Sequence, residues 1–197
     1  GEAGELKDVH VHHLHTEGPA PYADPKFEGV FQLDSFFVGA NVRKVTQSGY
    51  ADYIPIFLSE TQKLKRCGIA TSVTLISGLG GRSQVEEHAL SCAKLITAMN
   101  PEYASFLTLR LYEGTPMYAD VVEGRFQRIT PDEIVDEMEI FLKNVDSPGT
   151  VFRTNHASNY VILAGTLNGD IPAMLKKLEE AKRTHHYRKF RETGDLL

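Results

Sequence analysis

Along the chain, short runs of β-branched and apolar residues alternate with stretches whose apolar positions recur every three or four residues. The first pattern predicts strands and the second amphipathic helices. Val9–Leu14, written VHVHHL, predicts a short strand, and Ser35–Val38 a second. Tyr53–Phe57 predicts a third, with Pro55 in its middle arguing for an edge position or a bulge. Ser59 then caps a helix, Gln62 stands at the capping-box position, and Cys67-Gly68 closes it where glycine suits the left-handed site. The next stretch, Thr71–Arg82 (TSVTLISGLGGR), runs from a strand into Gly78, Gly80 and Gly81. Ser83, with Glu86 at the capping-box position, then predicts a helix start.

The helix that follows carries the clearest stripe, Val85, Ala89, Cys92, Ile96 and Met99, and Asn100-Pro101 stops it. Tyr103–Leu111 predicts a strand that ends at Glu113-Gly114-Thr115-Pro116. Thr130-Pro131-Asp132-Glu133 is a strong helix start, and Ile134, Met138, Phe141 and Val145 line the inner face of that helix. A turn at Ser147-Pro148-Gly149 leads to a short strand, Thr150–Arg153. Asp170-Ile171-Pro172 begins a last helix, and from Lys182 onward the sequence predicts a basic, solvated end. Strands and helices alternate throughout, so the fold class is α/β, a mainly parallel sheet with flanking helices. Ligands in such sheets sit beyond the carboxyl ends of strands, which directs attention to Gly39, Gly78, Glu113 and the segment after Arg153.

Composition narrows the partners. A net charge of −5 gives no whole-chain attraction to nucleic acid, so none is expected as a partner. No apolar run approaches the roughly 20 residues that span a bilayer, and no signal-peptide pattern opens the chain. The expectation is a cytoplasmic protein without membrane contact. Cys67 and Cys92 fall on apolar helix positions, which predicts two buried thiols rather than a disulfide or a metal quartet. Oligomeric state is not written in these features.

Candidate chemistry gathers at a few places. Glycines at Gly78, Gly80 and Gly81, before a helix start, let backbone approach a ligand and present N–H groups to an anion or an adenine edge. The same residues serve equally as a packing turn. His10 and His12 point to one face of their strand and are weak metal candidates, with no clear further ligands downstream. Gly39-Ala40-Asn41-Val42-Arg43 offers N–H groups and, through Gly39, Asn41 and Arg43, a seat for a phosphate or a carboxylate; the plainer alternative is a tight strand-to-helix turn. Arg153, Asn155, His156 and Asn159 form a polar cluster, read either as ligand contacts or as a hydrogen-bonded loop closing the sheet. His156 as a general base needs an orienting partner that sequence does not place. No Ser-His-Asp order, P-loop or paired carboxylates stand out, so no catalytic residue is assigned.

Two family resemblances accompany these residues. HTEGPAPYADPKFEG (His15–Gly29), SFFVGANVR (Ser35–Arg43) and ADYIPIFLSE (Ala51–Glu60) resemble the N-terminal part of the acetyl-CoA hydrolase/transferase family, particularly 4-hydroxybutyrate CoA-transferases. That resemblance implies CoA transfer through a glutamyl thioester, whose glutamate lies in the C-terminal half of the family's proteins; nothing in this chain matches that half. KLKRCGIATSVTLISGLGGR (Lys63–Arg82), YEGTPMY (Tyr112–Tyr118) and FRTNHASNYVILAGTL (Phe152–Leu167) resemble the second half of a radical S-adenosylmethionine (SAM) protein. This implies a partial (β/α) barrel or Rossmann-like hybrid, with Gly78, Gly80 and Gly81 against a SAM adenine. Radical SAM chemistry needs a C-x₃-C-x₂-C loop for its iron–sulfur cluster, and two distant cysteines do not supply it. The expected organisation is therefore a CoA-transferase-like segment over 1–61 joined to a radical-SAM-like half-barrel over 62–197. The expected function is a hybrid with no complete active site and at most a remnant SAM-type pocket. The alternatives are a radical SAM enzyme whose cluster comes from another chain and a CoA-transferase completed by a partner. SAM and CoA are the two nucleotide cofactors in question.

Overall fold

The computed structural model describes residues 54–188, which form an α/β unit built on one sheet. In chain order its elements are α1 (Ile54–Arg66), β1 (Ser72–Ser77), a 3₁₀ turn (Arg82–Gln84), α2 (Val85–Met99), β2 (Tyr103–Thr108), α3 (Pro116–Val122), α4 (Pro131–Asn144), β3 (Val151–Arg153), β4 (Ala164–Thr166) and α5 (Ile171–Thr184). The strands lie in the order β1-β2-β3-β4. The first three are parallel, in a register that sets Leu75 beside Phe106 and Ala104 beside Phe152. β4 closes the edge antiparallel, with Gly165 opposite Phe152. A mainly parallel sheet with flanking helices is thus the architecture.

Alternation along the strands decides where the core lies. Leu75 and Ser77 of β1, Ala104, Phe106 and Thr108 of β2, and Phe152 of β3 are buried. The intervening Ser72 and Thr74 are exposed, and Ser105 and Leu107 half-buried. The buried face meets the inner stripes of α2, α4 and α5. Ile134, Met138, Phe141 and Val145 all sit there, as do Ala89, Cys92 and Ile96 from α2. At the centre, Phe106 meets Phe141 edge-on at 4.9 Å and Phe141 stacks on Phe152 at 5.6 Å. Such aromatic pairs contribute about 1 kcal/mol each beyond the area they bury.

Helix ends follow their local chemistry closely in one case and depart from it in another. At α4 the capping box is complete: Thr130 accepts from the Glu133 N–H, and Glu133 reaches back to the Thr130 N–H at 2.6 Å. At α2 the expected box is not made. Gly81 and Gln84 N–H groups bond to Gly78 and Gly81 carbonyls, so the chain winds a 3₁₀ turn first. Ser83 is caught inside that turn, and Gln84 becomes the cap residue without a side-chain bond. Asn100 ends α2 in the left-handed region at φ 42°, with its N–H on Ile96 O.

Three further expectations are corrected. Of the strand expected over Tyr53–Phe57, residues 54–57 are helical: Pro55 is the second residue of α1, where a missing N–H costs no intrahelical bond, and Ser59 lies within the helix instead of capping it. Cys67 is exposed just past the end of α1, while Cys92 is buried as expected. The basic end is not all solvated: the Tyr187 ring meets Tyr160 at 5.9 Å, its hydroxyl donates to Asp132, and the Arg188 N–H bonds to Tyr160 O. α1 runs unbroken through residue 61 and packs on α2. The candidate strands at Val9–Leu14 and Ser35–Val38 lie outside the described residues.

Candidate functional site

The carboxyl ends of β1 and β2 lie side by side, tied by the Leu109 N–H on Ser77 O at 2.9 Å. Two polar clusters gather there. The first is built beneath the glycine turn. Glu137, on the inner face of α4 and 1% exposed, accepts from the Ser77 hydroxyl and from the Gly78 N–H at 2.9 Å. Its other oxygen meets His88 Nδ1 at 2.5 Å, and His88 Nε2 faces Cys92 Sγ at 3.8 Å, one turn along α2. One carboxylate therefore joins the end of β1, α2 and α4. A buried charge is tolerated only when paired and hydrogen-bonded, and here both carboxylate oxygens are engaged.

His88 responds to those neighbours. Burial works to lower its pKa, but its interactions with Cys92 and with Glu137 outweigh it and hold the imidazole well above its ordinary value. The row Ser77–Glu137–His88–Cys92 can hold and share a proton. Each member is buried, so the row acts first on the turn above it.

That turn is packed by the chain itself. Gly78 and Gly81 adopt φ of +85° and +65°, which disfavour any side chain. A Cβ on Gly78 would stand 3.3 Å from Ile134, and one on Gly81 3.0 Å from both the Phe126 ring and Gln127 O. A Cβ on Gly80 would stand 3.0 Å from both His88 Cβ and Gln84 O. The close backbone approach that these glycines allow is made to residues 126–134 and to His88.

The second cluster ties the loop after β3 to β2. Asn159, fully buried, donates to Phe106 O at 2.7 Å and Thr154 O at 3.1 Å, and accepts from the Thr108 hydroxyl at 3.0 Å. Ser158 Oγ accepts from the Thr108 N–H, and His156 Nδ1 accepts from the Ser158 N–H at 3.1 Å. His156 Nδ1 also lies 2.9 Å from Ser158 Oγ, so its ring is oriented by its own loop. Arg153 is exposed, and its guanidinium donates to the Phe152 and Gly165 carbonyls along the β3–β4 edge. Asn155 is exposed on the same loop. Asn159→Ala leaves two carbonyls and a hydroxyl short of a partner, so a loss of about 2 kcal/mol is expected. Urea unfolding with unchanged slope would confirm it; an unchanged midpoint would show the loop to be held otherwise.

The structure thus brings Gly78, Gly80 and Gly81 together with Glu137 and His88, and His156 with Ser158 and Asn159. Sequence reading missed Glu137 and His88. A signal was present: Glu137 follows Ile134 by three positions and precedes Phe141 by four, on the helix face that goes inward. Among the described residues no three of His, Cys, Asp and Glu stand together in a metal-holding group. His10, His12, Gly39, Asn41 and Arg43 lie outside the described residues. No described helix is long and apolar enough to cross a membrane.

Comparison with known proteins bears on the first part of the chain. Residues 2–78 match the acetyl-CoA hydrolase/transferase N-terminal domain. Over 61 residues the chain is 54% identical to a succinyl-CoA:acetate/propanoyl-CoA:succinate CoA transferase of Fasciola hepatica, covering 31% of this chain and 12% of that protein. Over 135 residues it is 25% identical to the DEAD-box ATP-dependent RNA helicase 7 of Arabidopsis thaliana, covering 64% of this chain and 19% of that protein. The chain therefore spans less than a fifth of either relative's length. No solved structure matches. The radical SAM resemblance of the later segment gains no support from these matches.

Proposed function

We propose that the chain is a hybrid α/β protein that recognises acyl-CoA through its N-terminal segment and does not turn it over unaided. The match of residues 2–78 to an acetyl-CoA hydrolase/transferase N-terminal domain carries this reading. In it, Gly39, Asn41 and Arg43 supply N–H groups and a guanidinium to a CoA phosphate or acyl carboxylate. Turnover in the resembled family needs a glutamate from a part of the protein that this chain does not match. A transferase completed by a partner subunit that brings that glutamate is the natural extension of the same reading.

The second reading, a remnant SAM-type pocket drawing on Gly78, Gly80, Gly81, Arg153, Asn155 and His156, is disfavoured by the packing of the turn. A nucleotide ring there would have to displace Phe126 and Gln127 from Gly81. A radical SAM reaction would further need its iron–sulfur cluster from another chain, since Cys67 and Cys92 do not form a C-x₃-C-x₂-C loop.

Calorimetry on the purified chain separates these outcomes. Acetyl-CoA is expected to bind, SAM not to bind, and Arg43→Ala to weaken acetyl-CoA binding by about tenfold through loss of a charge-assisted contact. Acyl exchange between CoA esters is expected to be absent. Failure to bind acetyl-CoA removes the recognition claim. Exchange that borohydride abolishes would instead show a thioester-forming carboxylate within this chain.

A further inference from the structure

Above the glycine turn and below it the chain is held in physically different ways. Below, the Gly78 N–H and the Ser77 hydroxyl end on a fully buried carboxylate. Above, the cover is the segment 114–129. Its helix α3 buries only Asp120, and Tyr118 and Val122 stand 36% and 70% exposed. The segment is nevertheless consistent within itself. The Asp120 carbonyl accepts the Arg125 and Phe126 N–H groups at 2.8 and 3.0 Å, and the Asp120 carboxylate accepts Arg125 Nε at 2.9 Å.

Contact between cover and turn is small by comparison. Gln127 O accepts the Arg82 N–H at 2.9 Å, the half-buried Phe126 ring lies on Gly81, and Ile129 lies on Gly78. Gly114, at the start of the segment, has φ +83° with open space where a Cβ would stand. Regions with few buried apolar contacts open locally at a fraction of the global unfolding cost, whereas buried ionic ties open with the whole fold.

We propose that residues 114–129 form a hinged lid that lifts from the glycine turn as one piece. Lifting uncovers Gly81 and the Arg82 N–H, while Glu137 keeps Ser77 and Gly78 in place. The lid is independent of the acyl-CoA reading, which concerns the N-terminal segment.

Residue-resolved amide hydrogen exchange on the full chain tests it. The Arg82 amide is expected to exchange about a hundredfold faster than that of Gly78, because lifting the lid frees the first and not the second. Urea should accelerate Gly78 steeply and Arg82 only slightly, since lifting exposes little surface. Phe126→Ala is expected to raise the Arg82 rate about tenfold and leave Gly78 within twofold. Phe126→Leu serves the same arm if the alanine variant does not fold. One common rate and one common urea dependence for both amides would overturn the lid, as would an Arg82 rate indifferent to position 126.

Discussion

Glu137→Ala is expected to destabilise the fold by about 3–5 kcal/mol, the range for removing one partner of a buried ionic pair. The magnitude follows from what is left behind. Ser77, Gly78 and His88 lose their common acceptor in a place where Ser77 and His88 are 0% and 4% exposed and water does not substitute. Against a typical domain stability of about 5–15 kcal/mol, that is enough to leave a sizeable unfolded population. Glu137→Gln keeps an acceptor for Ser77 and Gly78 but turns an amide donor or a second neutral acceptor toward His88. Its cost should be smaller, about 1–3 kcal/mol. Urea unfolding followed by far-UV circular dichroism measures both. A Glu137→Ala variant within 1 kcal/mol of the parent would mean that the turn is held mainly by the packing of Ile129, Ile134 and Phe126.

The same site shows what was legible in the sequence and what was not. The start of α4 could be read to the residue, because a capping box and a proline at the first helical position are local signals. Its end could not, and Val145, expected on the helix face, is the extended residue just past it. The strand into Gly78 was readable for a similar reason: a β-branched run ending in glycine describes its own conformation. Pro55 misled, since proline is as much at home in the first turn of a helix as at a bulge, and only the packing of α1 on α2 decides between them. The capping box at Ser83 failed because the glycine turn itself continues as a 3₁₀ turn, a conformation set by contacts with Gln127 that are remote in sequence.

Glu137 and His88 were harder still. They stand 49 residues apart, and neither makes sense without the other. A carboxylate on an inward helix face states that a partner exists but not which residue it is. Cys92 was readable as a buried thiol from its stripe alone, whereas its facing imidazole became visible only with the turn of α2 in place. For the loop after β3, Asn159 was marked as polar in an apolar setting, and the reading of it as a tie closing the sheet agrees with its three hydrogen bonds.

Stability is expected to fall as pH rises above about 6.5, the ordinary histidine value, and to go on falling until the pH passes the raised pKa of folded His88. Across that window the folded chain holds a proton that the unfolded chain has released. The folding equilibrium then loses up to about tenfold per pH unit from this one group. Below about pH 6.5 both states carry the proton, and the contribution is present in full. The cause lies in the geometry: an imidazolium between Glu137 and Cys92 gains more from those two partners than burial takes away. His88→Gln should keep a neutral hydrogen bond to Glu137 and flatten the profile over this window, at the cost of a lower plateau on the acid side. Urea midpoints taken from pH 6 to pH 9 on both proteins give the comparison. If the parent loses no more stability over that range than His88→Gln does, the proton is not held at His88.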